Sequence, residues 1–450
     1  MVWESLAERA VLLAIAPHLV RATPFLMPVY AGRTRPAWKL RAGLTLYDAL
    51  AGGTRLGRHE MLDRREALAR EPALAGQGLR SAALYWDARV RDARLVVETV
   101  ADARRAGAVA VSRCAVESVE QWGDWWAGEV DDRKDGSRFT LRGAAWVNAT
   151  GPWADRLRAK VAPELPPLLA PTKGVHVVLA GERLPLRDPT VLFAADGRLL
   201  FAVPEGSWTF VGTTDTADGG AVDDVGVAPA DVAYLVEAAS TALAHPFAQG
   251  DSGGSWAGWR PLIRPATAKE PGEISREDVI EETAPGFFTV AGGKLTTYRR
   301  MAEEAVERLA EGEGRSLPRS GTARRPLVPP RPAGPGPPPG TAPADVARVR
   351  ELFGPDAGYV FARWREAPET AEPIGAEFPH TTAKVERAAL EVVESLADLV
   401  ERRLSALPGG VPVSAAALTR VAAAAAPVLG WDSTRHAAEV ARFRQDTSSP

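Results

Sequence analysis

Gly292-Gly293-Lys294 stands between an apolar run, Phe287–Val290, and a segment in which Tyr298, Met301, Ala302, Ala305, Val306 and Leu309 repeat at helical spacing. Strand, paired glycines and helix in that order bring bare backbone N–H groups and the positive end of a helix to a ligand, because glycine has no Cβ to hold it off. Lys294 adds a cation at the mouth. In a second stretch, Val147-Asn148-Ala149-Thr150-Gly151-Pro152-Trp153, a strand ends in Ala-Thr-Gly. This either lets backbone lie against a dinucleotide or simply closes the strand with a turn. Arg260 (in Gly258-Trp259-Arg260-Pro261-Leu262) and Arg276 (in Ile274-Ser275-Arg276-Glu277) offer guanidinium forks that, with the Lys294 ammonium, would hold a phosphate dianion if folding gathers them. Taken singly, each arginine reads equally as a solvated or ion-paired surface residue. His176, in Lys173-Gly174-Val175-His176, is either a base near neutral pH or a hydrogen-bonded structural residue. Gly212-Thr213-Thr214-Asp215 supplies hydroxyls and a carboxylate at a strand end, or a turn or cap. The six histidines and one cysteine show no metal-ligand spacing, so no metal site is expected.

The elements that must position these groups follow from periodicity. Leu6–Val20 carries one apolar face broken by Pro17 and reads as a core helix. Arg94–Arg105 reads as a helix on Leu95, Val96, Thr99, Val100 and Ala103. Ala108–Val119, Arg138–Val147 and Gly174–Leu179 read as strands. Leu199–Val203 and Trp208–Gly212 flank Pro204-Glu205-Gly206-Ser207 as a hairpin. Leu327–Pro343 is dense in proline and glycine and reads as a linker. Beyond it a helix is expected over Ala383–Ser405, with Arg403 breaking its apolar stripe. Ser414 can cap another helix through Ala426, ended by Pro427, and Asp432 or Ser433 a last one through Arg444. The expected division is 1–315 for cofactor and substrate, 316–343 for the linker and 344–450 for a helical domain.

Bulk composition narrows the function class. The chain has 450 residues, 46% hydrophobic and 25% charged, as in soluble globular proteins, and a net charge of −3 that favours no nucleic-acid partner. Cys114 is the single cysteine, so no internal disulfide is possible, which suits a reducing compartment. It reads as a packed strand residue. There is no run of 18 apolar residues, and the N-terminus does not have the pattern of a signal peptide.

Several motifs occur in one order: Glu8-Arg9-Ala10-Val11-Leu12-Leu13 with Ala16-Pro17-His18; Tyr85-Trp86-Asp87-Ala88 with Asp92-Ala93-Arg94-Leu95; the Val147–Trp153 stretch; Lys173-Gly174-x-His176; Val211–Asp215; Gly258–Leu262; and Ala291–Tyr298. Together, over residues ~4–315, they resemble the FAD-dependent (aerobic-type) glycerol-3-phosphate dehydrogenases. The resemblance implies an α/β (α+β) FAD-linked oxidoreductase fold with a mixed substrate-domain sheet and a C-terminal all-α domain. It implies oxidation of sn-glycerol 3-phosphate to dihydroxyacetone phosphate, with hydride passing to FAD and electrons to the quinone pool. It implies Arg260, Lys294 and His176 at the reacting centre and Arg260, Arg276 and Lys294 on the substrate. Ala115, Ala149, Thr150, Gly151, Gly292, Gly293, Lys294, Leu295 and Thr296 would line FAD. A cytoplasmic protein in peripheral contact with the inner face of the membrane, and a homodimer, are the implied setting. The family's Gly-x-Gly-x-x-Gly, which seats the FAD pyrophosphate, is not found in these 450 residues. The expected fold is therefore N-terminally incomplete, with FAD bound weakly or not at all. The alternatives are a cofactor-free remnant or a related amino-acid or 2-hydroxy-acid oxidoreductase.

Overall fold

The computed structural model describes residues 2–217, 221–244, 247–265, 277–329, 334–375, 378–404 and 413–448. Its largest element is a nine-stranded sheet. Thr216–Ala217, Thr172–Ala180, Trp208–Gly212, Leu199–Glu205, Thr190–Phe193, Val20–Tyr30, Leu79–Val90 and Glu60–Asp63 follow one another in space, and Ser252–Arg260 pairs with Thr172–Ala180. All pairings are antiparallel except Leu26 with Thr190. One face of this sheet is aliphatic. Val175, Val177, Leu179, Val211, Leu200 and Leu84 cluster there with Leu235, Val236 and Ala239 of the Pro229–Ala242 helix. Each fully buried leucine in such a layer contributes roughly 1.5–3 kcal/mol. Residues of opposite parity on the same strands face the other way, as a period of two requires.

A second sheet has three strands, Asp278–Ala284, Phe287–Gly292 and Trp146–Asn148, the last two parallel. A third is the antiparallel meander Cys114–Trp122, Trp125–Asp132, Arg138–Gly143. Two strand expectations are corrected here. Residues 108–113 are irregular, and Arg113 has φ 63°, so the strand opens at Cys114. The expected strand Arg138–Val147 is two strands in different sheets, because the chain leaves the meander after Gly143 to pair with Phe287–Gly292. The 199–212 hairpin forms in register, Glu205 opposite Trp208, with Gly206 at φ 62° supplying the turn.

The Val2–Ile15 helix precedes the first strand, and Asp92–Arg105 is helical as expected. Its buried side is not the expected one throughout, since Val96 is 55% exposed while Arg94 and Glu98 are buried. The reason is ionic: Arg94 donates to Glu98 at 2.8 Å and to Glu391, just past the Thr382–Ala389 helix among the C-terminal helices. Those helices share a core of Val349, Phe353, Val360, Phe361, Leu399 and Val421 among others. The helix expected over 383–405 is broken. Thr382–Ala389 ends, and Asp398–Leu404 forms a separate turn after Asp398 Oδ2 accepts the N–H groups of Glu394 and Ser395. Arg403, which interrupts the stripe in sequence, is buried against Glu391. Ser414 caps its helix, but that helix runs through Pro427 to Leu429 and stops at left-handed Gly430. Asp432 Oδ1 accepts from Arg435 N at the head of the Ser433–Ser448 helix.

Candidate active site

Two clusters form the site. The first lies on the nine-stranded sheet, on the face opposite its aliphatic layer. His176 sits there between two cross-strand neighbours, Gly212 on one side and Trp256 on the other. A Cβ at Gly212 would come within 2.2 Å of the imidazole, so only glycine lets the ring lie against that strand. The ring stacks on Trp256, with centroids 4.7 Å apart and planes within 11°, and meets the edge of Phe210. Burial, aided by the nearby Arg260 charge, pushes His176 down to about 4. It is neutral at pH 7, and among the described residues its buried Nδ1 has no hydrogen-bond partner.

Arg260 ends the Ser252–Arg260 strand and turns its guanidinium into the same region. Nη1 donates to Thr214 O at 3.0 Å and to Asp215 Oδ1 at 3.2 Å, and Nη2 donates to Thr213 Oγ1 at 2.9 Å. A Cβ at Gly174 would lie 2.7 Å from both Arg260 Nη2 and Thr213 Oγ1. The Lys173-Gly174 and Gly212–Asp215 motifs thus build the seat of one fork. Lys173 itself is buried against Asp231, Nζ to Oδ2 3.0 Å, which ties this strand to the Pro229–Ala242 helix.

The second cluster lies beyond the carboxyl ends of the parallel pair Trp146–Asn148 and Phe287–Gly292, the position at which α/β sheets bind ligands. Asn148 is buried, and its Nδ2 donates to Ala154 O at 2.9 Å. Its Oδ1 accepts from Thr150 Oγ1 at 2.7 Å, which fixes the Ala149-Thr150-Gly151 turn. Gly292 and Gly293 both have positive φ, 76° and 77°. A Cβ on Gly292 would reach Glu277 O at 2.4 Å, and one on Gly293 would reach Met301 Sδ at 2.5 Å. Lys294, Leu295 and Thr296 follow, with Leu295–Thr297 a single 3-10 turn leading into the Tyr298–Gly312 helix. Lys294 Nζ reaches Ser5 Oγ at 3.5 Å. Arg299, one turn on, is bidentate to Glu8 at 2.6 and 2.8 Å and fixes this helix against Val2–Ile15.

The clusters are neighbours. Ile263 is three residues from Arg260, at most about 11 Å of chain. Its Cγ1 is 2.8 Å from the position of a Gly292 Cβ. The 221–224 turn spans both sides: Val222 O accepts from Trp259 Nε1 at 3.1 Å, and Asp223 Oδ1 accepts from Trp153 Nε1 at 2.7 Å. Arg260 and His176 therefore share one face of the nine-stranded sheet, and Ala149–Gly151 and Gly292–Thr296 share the end of the parallel pair, the two groups being linked through Ile263 and the 221–224 turn. Arg276 lies outside the described residues. Ala115 pairs with Asp131 in the meander, a separate sheet. Sequence reading missed Asp223, Trp153 and the Lys173–Asp231 and Glu8–Arg299 pairs. Glu8, Trp153 and Lys173 stand in motifs read from sequence, but their pairings were not legible, since partners 58 to 291 positions apart leave no local signal.

The sequence profile of the family described as FAD dependent oxidoreductase matches residues 1–308. Alpha-glycerophosphate oxidase of Enterococcus casseliflavus is 33% identical over 372 residues, 69% of this chain and 61% of that protein. Aerobic glycerol-3-phosphate dehydrogenase of Bacillus subtilis is 35% identical over 309 residues, 68% of this chain and 56% of that one. A probable mitochondrial glycerol-3-phosphate dehydrogenase of Caenorhabditis elegans is 30% identical over 479 residues, 99% of this chain and 63% of that one. The chain thus spans less than two thirds of the length of these relatives. Among solved structures, glycerol-3-phosphate dehydrogenase from Bacillus halodurans, complexed with FAD, superposes with a TM-score of 0.76 at 26% identity. That match covers 98% of this chain and 84% of the other. The matched profile, the ordered motifs and the superposition agree: the chain belongs to the FAD dependent oxidoreductase family.

Proposed function

We propose that this chain oxidises sn-glycerol 3-phosphate to dihydroxyacetone phosphate with FAD as hydride acceptor, and that the electrons pass on to quinone. The observation that carries the reading is the Arg260 fork seated over Gly174, three residues before Ile263, which lies against Gly292. It agrees with the activities for which the relatives are named. The residues present suit the flavin-facing end of FAD. The Gly292 and Gly293 backbone is bare, and Thr150 and Gly151 emerge at the same sheet end. When bound, FAD supplies a two-electron acceptor.

The chain's own residues do the rest. Arg260 neutralises and orients a dianionic headgroup, with Arg276 and Lys294 as the further cations. Neutral His176 faces the same space and takes the hydroxyl proton, its basicity raised from about 4 once a phosphate dianion sits beside it. Trp256 and Phe210 keep water from that imidazole. We further propose the division at 316–343 inferred from sequence.

No described helix is long and apolar enough to cross a membrane. The Ala37–Ala51 helix nevertheless turns Trp38, Leu46 and Leu50 to solvent, 68%, 60% and 39% exposed, beside Arg35, Lys39 and Arg41. An apolar stripe edged with cations suits peripheral contact with an anionic bilayer. Sedimentation with anionic phospholipid vesicles, lost in Trp38→Glu, tests it.

The central test is visible absorbance after incubation with excess FAD and desalting, followed by anaerobic addition of glycerol 3-phosphate. Retained flavin bands that bleach with glycerol 3-phosphate support the proposal. Bleaching by glycine or lactate instead would shift the substrate class, and a colourless protein would leave a cofactor-free remnant.

A further inference from the structure

A cavity of about 430 Å³ lies behind the Gly292-Gly293 loop, where the Tyr298–Gly312 helix faces the Asp92–Arg105 helix and the 317–327 segment. That is within the range of small-molecule sites. Its walls are Ile15, Tyr298, Ala302, Val306, Leu317 and Leu327, and Val306 and Leu317 are left 55% and 39% exposed. Charges at its rim are spent on one another: Asp102 holds Arg325 at 2.6 Å, and Glu303 holds Arg299 at 2.8 Å. Glu307 tips the rim toward negative, against a phosphate or carboxylate.

Four hydroxyls stand among the apolar walls; those of Ser320 and Thr322 are bonded to each other, and Thr322 also accepts from Arg299. Thr99 Oγ1 spends its proton on Leu95 O at 2.7 Å, so the Tyr298 hydroxyl is the donor between the two, across a long 3.5 Å. Among the described residues the Tyr298 phenol has no other partner. A strong donor in an apolar site, held this loosely, selects a neutral ligand with a carbonyl acceptor. Tyr298 is also four residues from Lys294 and five from Gly293.

We propose that this cavity binds the apolar electron acceptor, a neutral quinone ring with its carbonyl on Tyr298 and its alkyl tail along Val306 and Leu317. The assignment rests on the flavoenzyme reading for its redox sense. Oxidation of a secondary alcohol releases two electrons and two protons, the hydride from C2 and the proton from its hydroxyl. Quinone takes up the same two electrons and two protons to become quinol.

The test is equilibrium dialysis of a decyl-tailed benzoquinone against the full chain and against two variants, with dye-linked glycerol 3-phosphate oxidation measured in parallel. Ala302→Trp fills the cavity from an exposed helical position, and thermal melting checks that it folds. Micromolar binding by the unmodified chain, weakened about tenfold or more in Ala302→Trp, is expected. Tyr298→Phe should weaken it about 2- to 10-fold, the worth of one neutral hydrogen bond. Equal binding by all three, or none by the unmodified chain, overturns the site. Dye-linked oxidation without quinone binding would keep the function and remove the site. Quinone binding with this variant pattern but no oxidation would do the reverse.

Discussion

The two faces of the nine-stranded sheet divide labour along single strands. On Thr172–Ala180, Val175, Val177 and Leu179 are fully buried under the Pro229–Ala242 helix, while Gly174 and His176 face the site. The aliphatic face is closed by bulk. The other is opened by omission: Gly212 stands opposite His176 and Gly258 opposite Gly174. Stability and chemistry are thus written in alternate residues, and substitutions on the two faces should fail differently.

The largest effect is expected at Arg260, through activity rather than stability. Arg260→Lys keeps the charge but loses the fork onto Thr213, Thr214 and Asp215. Each charge-assisted bond to the substrate that is lost should lower kcat/KM for glycerol 3-phosphate roughly 10- to 150-fold. Steady-state kinetics with a dye acceptor check this, and an unchanged kcat/KM would remove Arg260 from the substrate. On the aliphatic face the order reverses. Leu179→Ala should cost about 2–5 kcal/mol of stability. It should leave KM near the unmodified value in whatever folds, as urea titration and kinetics at low temperature would show.

The difference between the faces also explains what could be read in the sequence. Gly292-Gly293 before a helical period, the Asn148–Gly151 turn, the 199–212 hairpin and the Ser414 cap are local signals, and the structure shows each. Arg260 and His176 were legible as residue types, but their meeting depends on the Thr172–Ala180 register, which no spacing reveals. The strand reading of 138–147 failed because periodicity cannot tell one strand from two that part company at Gly143. The helix reading of 383–405 failed because Glu391 and Arg403 look like surface charges. In the fold Glu391 is held by Arg94, some 300 positions earlier, and buried Arg403 lies against Glu391.

The smallest effect concerns pH, and it reads the wetness of the site face directly. His18, His176 and His380 are pushed by burial from 6.5 to about 4, about 4 and about 3. A histidine whose folded value is depressed takes up its proton in the unfolded chain first. Its contribution to stability is therefore intact above about 6.5 and lost as pH falls toward 4. Each such group adds about 1.4 kcal/mol per pH unit to the slope between those limits. Unfolding free energies of the unmodified chain and of His176→Gln, measured from pH 7 to 4.5, should diverge by that slope. His18, which lies against Gly354, supplies the comparison through His18→Gln. If His176→Gln alone leaves the slope unchanged, water reaches the His176 ring. The aromatic wall of Trp256 and Phe210 then does not keep the site dry, and the imidazole titrates as an ordinary surface group.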